Sequence, residues 1–210
     1  KRMASLYRRK FGKFMIASEE NRRNLLWWQI THLGRFIRRV TKDYSPYSEL
    51  PTQNRQRVDR AYKNMITAQD IYLRMAKKVS EKVTLERKIL FLRDRAFHEE
   101  YRGRLSRAVS YMEKAIALSR DFLKEPIGVD DAEVYAERVF ELAALYKQQN
   151  RPDKVYELLR NFPYVTLMNH QYHFLLAWSL EQREHPRSAK QHYADAAHLL
   201  GSEHVSLFLE

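Results

Sequence analysis

The sequence predicts an all-α protein, a helical-hairpin solenoid preceded by a basic helical N-terminal segment. Three observations carry that expectation. Glycine and proline are scarce, 5 and 6 in 210 residues, so helices can run long with few turns. Apolar residues recur every three or four positions along most of the chain, which is the spacing of one helix face. Past residue 84 the pattern changes to shorter paired helices with small residues where two helices would touch.

Taken in order, the first strong helix spans Asn24 to Val40. Leu26, Ile30, Leu33, Ile37 and Val40 form its apolar stripe, and Leu25, Trp27, Trp28 and Phe36 widen it. Arg22, Arg23, Arg35, Arg38 and Arg39 cluster toward its ends, and the stretch Tyr44 to Pro51, with Pro46 and Pro51, breaks it off. Pro51 to Arg55 suits a new helix start. From about Asn54 to Val83, Val58, Tyr62, Met65, Tyr72, Met75, Ala76 and Val79 keep helical spacing without glycine or proline. That helix is either continuous or broken near Thr67 to Asp70. The expected divisions are a basic helical head over residues 1–50, a connecting helix over 51–84 and a repeat body over 85–210.

The body resembles tetratricopeptide repeats, a family with a 34-residue unit of two antiparallel helices and small residues at the helix contacts. The first match has Leu92, Ala96, Gly103 at the turn, Ala108, Met112 and Ala115. It departs from the family at Arg95 and Glu99, where apolar residues are expected, which predicts a first helix that is shifted or more exposed. The second has Val139, Leu142, Ala143 and Tyr146, a turn at Asn150 to Pro152, then Val155, Leu159 and Phe162. The third has Leu176, Ala177 and Leu180, a turn at His185 and Pro186, then Ala189, Tyr193 and Ala196. Ala96, Ala143 and Ala177 lie 47 and 34 residues apart, so the first interval carries an insertion around Glu125 to Asp131. A generic stack of helical hairpins is the competing reading.

The resemblance implies a concave face lined by the first helix of each repeat. Its expected protein-binding residues are Leu90, Arg93, Phe97 and Tyr101, then Phe140 and Lys147, then Phe174 and Trp178. Mixed aromatic and polar groups of this kind suit a protein surface. Family members that clamp a chaperone's terminal carboxylate carry Lys and Asn where this chain has Arg93 and Phe97, so that partner is not expected.

Charge separates a second kind of surface. The formal net charge is +12, and residues 1–60 hold 15 Lys and Arg against 5 Asp and Glu while the other 150 hold 23 against 21. A basic head on a nearly neutral body points to a polyanionic partner for the head alone. The candidates are Arg8, Arg9, Lys10, Lys13, Arg22, Arg23, Arg35, Arg38, Arg39 and Lys42, with Trp27 and Trp28 among them. Guanidinium groups bind phosphates and aromatic rings stack on unpaired bases, so structured RNA is one partner. An apolar stripe with tryptophan and flanking arginine equally suits an anionic membrane surface, and both tryptophans could instead be core.

Catalysis finds no support in the motifs. Phe97-His98-Glu99-Glu100-Tyr101-Arg102 begins like the zinc motif His-Glu-x-x-His but has Arg102 at the second histidine. His170 and His173 are one turn apart with no third ligand at suitable spacing, so no metal is expected. None of the five glycines lies near another, which removes a phosphate loop, and no cofactor is expected. There is no cysteine, hence no disulfide or thiolate site. No apolar run exceeds five residues, as at Phe174 to Trp178, far short of the roughly 18 residues of a membrane span.

Leu6-Tyr7-Arg8 with Phe11 and Phe14 resembles the motif of the mitochondrial Leu-Tyr-Arg family, whose members bind acyl carrier protein. Gly12 disfavours the helix that carries the motif, and the repeats downstream are foreign to that family, so acyl carrier protein is not an expected partner. Residues 1–18 hold six basic residues and no acidic one, a transit-peptide-like bias. The sequence thus predicts a noncatalytic structural or adaptor subunit of a large assembly, located in the mitochondrion or else the cytoplasm. An organellar ribosome is the first expectation, with the head on RNA and the repeats on neighbouring proteins. A peripheral subunit or assembly factor of a mitochondrial membrane complex, bound to anionic lipid, is the second.

Overall fold

The computed structural model describes residues 18–41, 47–122, 129–163 and 169–207, and among these the chain is all-helical. The helices are α1 (Glu19–Thr41), α2 (Thr52–Ala76), α3 (Glu81–Tyr101), α4 (Leu105–Phe122), α5 (Val129–Gln148), α6 (Pro152–Arg160), α7 (His170–Gln182) and α8 (Pro186–Leu207), with a short 3-10 turn at Tyr47–Glu49. They form two compact units, residues 1–91 with 101–103, and residues 92–100 with 104–210. The boundary therefore falls inside α3, and the expected head and connecting helix share one unit.

In the first unit α1 packs along α2. The Ser18 side chain accepts the Asn21 N–H at 3.1 Å, and Glu19, Glu20 at the start and Arg38, Arg39 at the end of α1 complement its dipole. The helix buries Ile30 and Ile37 against Val58, Ala61, Tyr62, Met65 and Ala68 of α2, with Leu50 and Phe91 completing the cluster. The α2 helix passes through Thr67 to Asp70 without a break and stops at Ala76, short of the expected Val83. Val79 and Val83 extend the apolar spacing in the sequence but are exposed, and the Ser80 hydroxyl accepts the Val83 N–H at 3.3 Å to open α3.

The second unit is a run of adjacent helical pairs. Helix α4 packs on α5, α5 on α6, α6 on α7, and α7 on α8, while α5 also touches α7, two helices on. That last contact stacks successive hairpins. Ala96, Ala108, Ala115, Ala143 and Ala177 have no exposed surface, so side chains no larger than a methyl group occupy the close approaches. Each hairpin turns in the same way. The Arg104 N–H donates to the Glu99 carbonyl at 2.8 Å, Arg151 to Tyr146 at 3.0 Å and His185 to Leu180 at 2.9 Å, each closing back five residues. The residues just before these donors, Gly103, Asn150 and Glu184, are left-handed with φ of 71°, 54° and 63°. This is the Schellman ending of a helix. The three turns are spaced 47 and 34 residues apart, as the three alanines are.

Glu99 reverses one expectation. It stands where the tetratricopeptide resemblance expects an apolar residue, yet α3 is not more exposed there. Glu99 is buried, and Arg104, supplied by the turn, meets its carboxylate at 3.5 Å. Of the expected insertion around Glu125 to Asp131, residues 125–128 lie outside the described ones, and 129–131 belong to the first turn of α5.

Candidate functional site

The first candidate surface is the outer side of α1. At 100° per residue, Trp28, His32, Arg35 and Arg39 share a stripe roughly opposite the buried Ile30 and Ile37. The Trp28 and His32 rings stack with centroids 3.6 Å apart, and His32 Nδ1 is 3.0 Å from the Trp28 carbonyl oxygen. Arg35, Arg38 and Arg39 are exposed, and among the described residues none has a carboxylate partner. Arg22 is exposed and Arg23 half-buried on the first turns of the same helix. Arg8, Arg9, Lys10, Lys13 and Lys42, and the Leu6-Tyr7-Arg8 motif, lie outside the described residues.

The two tryptophans part company. Trp27 packs against the core of the first unit, its ring 6.0 Å from that of Tyr72 and 6.3 Å from that of Phe91, with the Arg87 guanidinium over it at 4.1 Å. Its place in the RNA-binding set is corrected on that ground: the ring is engaged by Tyr72, Phe91 and Arg87 and is not offered to a base. One residue along, Trp28 lies 100° farther round the helix, half-buried with its ring against His32.

The second candidate surface belongs to the second unit, where α5 touches both the 92–100 part of α3 and α7. Arg93 forms a two-pronged pair with Glu141, with Arg93 Nε donating at 2.9 Å and Nη2 donating as well, and its guanidinium also lies 3.5 Å from Glu137. The pair keeps the Arg93 guanidinium charged although burial opposes it. Arg93 also covers the Phe97 ring at 5.3 Å. Farther along, Lys147 sits over both Phe174 and Trp178, at 5.3 and 5.7 Å. Gln148 donates to Glu100 at 2.6 Å, and Tyr193 donates to Glu181 at 2.9 Å. Phe97 and Phe174 remain 43% and 44% exposed, large apolar side chains held in place by cations yet still open to a partner.

Three members of the expected concave face are elsewhere. Phe140 is only 3% exposed and packs on the rings of Phe162 at 5.3 Å and Tyr172 at 6.1 Å, so it is core. Tyr101 belongs to the first unit, where it meets the Tyr47 ring edge-on at 5.6 Å. Leu90 also falls in the first unit, half-buried. The expected face thus reduces to Arg93, Phe97, Lys147, Phe174 and Trp178. Glu137 and Glu141, which fix Arg93, belong with it, and their spacing of four residues on α5 was the available sequence signal.

A third group was missed. His173 does not converge with His170 but with His192 and Asp195, brought across from α8. The two histidine Nδ1 atoms are 3.0 Å apart, and Asp195 Oδ2 lies 3.6 Å from the first and 3.8 Å from the second. Burial, then the neighbouring His173, push the His192 imidazole below its usual value, while Asp195 pulls the other way. The other Asp195 oxygen accepts from Gln191 Nε2 at 3.0 Å. No helix among the described residues is long and apolar enough to cross a membrane. No protein family, no curated protein and no solved structure matches the chain.

Proposed function

We propose that this chain is a noncatalytic adaptor subunit of a large ribonucleoprotein assembly, an organellar (mitochondrial) ribosome first among them. The observation that carries the reading is the outward stripe of α1, Trp28 with Arg35 and Arg39, its cations without carboxylate partners among the described residues. A helix that needed only to be solvated would gain by pairing such charges along its surface. Here they stand beside an aromatic ring, the combination that takes phosphate and base together.

The second unit supplies the protein contact in this reading. Phe97, Phe174 and Trp178 are aromatic side chains of the kind that dominate interfaces, and Arg93 and Lys147 lie over their rings at 5.3 to 5.7 Å, contacts that favour the observed arrangement before a partner arrives. The tetratricopeptide resemblance is part of the proposal. It is supported by buried alanines and left-handed turns that recur at the same two intervals.

The test is purification of the tagged full chain from mitochondria with and without nuclease. Co-purifying ribosomal proteins should be lost on nuclease treatment together with structured RNA. Partners that survive nuclease and follow anionic lipid vesicles instead would replace the ribosome with a membrane complex and sink the RNA reading.

A further inference from the structure

We propose that His173, His192 and Asp195 form a site for a single zinc-class divalent metal ion that ties α7 to α8. One ligand comes from α7 and two, a single turn apart, come from α8, so an ion held there closes the last hairpin of the second unit.

Geometry carries the assignment. The same three atoms, His173 Nδ1, His192 Nδ1 and Asp195 Oδ2, define a triangle with sides of 3.0, 3.6 and 3.8 Å. The point equidistant from its corners lies about 2.0 Å from each, where zinc takes about 2.0–2.1 Å to imidazole nitrogen and about 2.0–2.2 Å to carboxylate oxygen. A tetrahedral ion with bonds of about 2.1 Å spaces its ligand atoms about 3.4 Å apart, the middle of the observed range. Hydrogen bonding accounts for less of the arrangement. One histidine can donate to the other, but both carboxylate separations are too long for hydrogen bonds.

The donor set and its surroundings agree. Two imidazole nitrogens and one carboxylate oxygen suit zinc and its later first-row neighbours and are poor for magnesium or calcium. Gln191 holds the far oxygen of Asp195, which leaves Oδ2 facing the histidines, the outer support that metal-binding carboxylates receive. The three side chains are half-buried, and Asp195 at 37% exposure reaches solvent, so water can fill the fourth position and the ion has a way in.

The experiment uses the full chain, freed of any polyhistidine tag. Zinc binding is followed by calorimetry, and cobalt(II), which substitutes for zinc and absorbs visibly, reports coordination. The expected result is one ion per chain, the intense visible bands of a four-coordinate cobalt site, and a melting temperature raised by zinc. His192→Ala and Asp195→Asn should each weaken binding at least tenfold and remove the zinc-dependent rise in melting temperature. Gln191→Ala should weaken it about tenfold, as loss of outer support does. His170→Ala should change nothing. Asp195→Asn keeps the shape of the side chain, so it stays informative if a histidine variant fails to fold. No saturable binding, binding untouched by His192→Ala and Asp195→Asn, or binding lost with His170→Ala would each overturn the site.

Discussion

Phe140 separates packing from recognition, because the repeat resemblance places it on a binding face and the structure places it in the core. Truncation of Phe140 to alanine removes a ring that is 97% buried and contacts Phe162 and Tyr172. Buried phenylalanine-to-alanine changes cost about 3–5 kcal/mol, the aromatic contacts placing this one toward the upper end. With a denaturant slope of about 2 kcal/mol/M, the urea midpoint should fall by about 2 M at unchanged slope. Phe174→Ala is the control. That ring is 44% exposed, so its loss should cost about 1 kcal/mol, well below Phe140→Ala, while weakening capture of a protein partner. Equilibrium unfolding followed by circular dichroism reads both variants. A loss below about 1 kcal/mol for Phe140→Ala would mean that the ring is not enclosed, and would return it to the binding face.

The other predictions concern the turns, the small-residue contacts, the head and alkaline stability. Gly103 has φ of 71° and nothing within 4 Å of where a Cβ would stand, so Gly103→Ala should cost about 1–2 kcal/mol from backbone conformation alone, and Glu184→Gly, at φ 63°, should be stabilising in thermal melts. Ala108 has no exposed surface, and Ala108→Arg should destabilise by more than the roughly 1–3 kcal/mol of overpacking because it also buries a charge; a variant that melts like the parent would put the helix contact elsewhere. If the head contacts about four to six phosphates, the logarithm of RNA affinity should fall against that of salt with a slope of about −3 to −4. Arg35→Glu with Arg39→Glu should flatten that slope, Trp28→Ala should weaken binding at constant slope, and Trp27→Ala should lower the melting temperature instead; an unfolding Trp28→Ala would refute the outward stripe. Burial and the bond to Glu181 push the Tyr193 hydroxyl up to about 12, against an ordinary 10.0. The unfolded chain therefore loses this proton first, so the contribution is whole below pH 10 and disappears between pH 10 and 12, and Tyr193→Phe should flatten the fall in melting temperature over that window.

How far the sequence could be read depended on whether the signal was local. The α1 stripe, the alanine contacts and the turn at Gly103 are each written within a few residues, and the all-α architecture follows from them. The apolar spacing running past Ala76 overstated α2, since the spacing continues through Val79 and Val83 although neither is covered. The helix gives way at Ala76 to a turn in which the Ser80 N–H donates to the Ala76 carbonyl at 3.1 Å, and the Ser80 hydroxyl then caps the start of α3, a local signal that periodicity does not weigh. Trp27 and Trp28 were alike in type and adjacent in sequence. Only the choice of Ile30 and Ile37 as the buried line, which is made by α2, packs the Trp27 ring on the core and leaves the half-buried Trp28 on another face of the helix.

The histidine cluster shows the same limit from the other side. His170 and His173 advertise themselves by proximity along one helix, and His192 with Asp195 do so on another, but each pair alone has two donors and so binds nothing well. The antiparallel return of α8 against α7 sets His173 beside His192 and Asp195. Spacing within a helix finds ligand pairs, whereas completing a metal site here requires the hairpin. That is also why the proposed ion would stabilise the fold: the ligand atoms come together only when α7 and α8 are packed, so any affinity of the site is affinity for the closed hairpin over the open one.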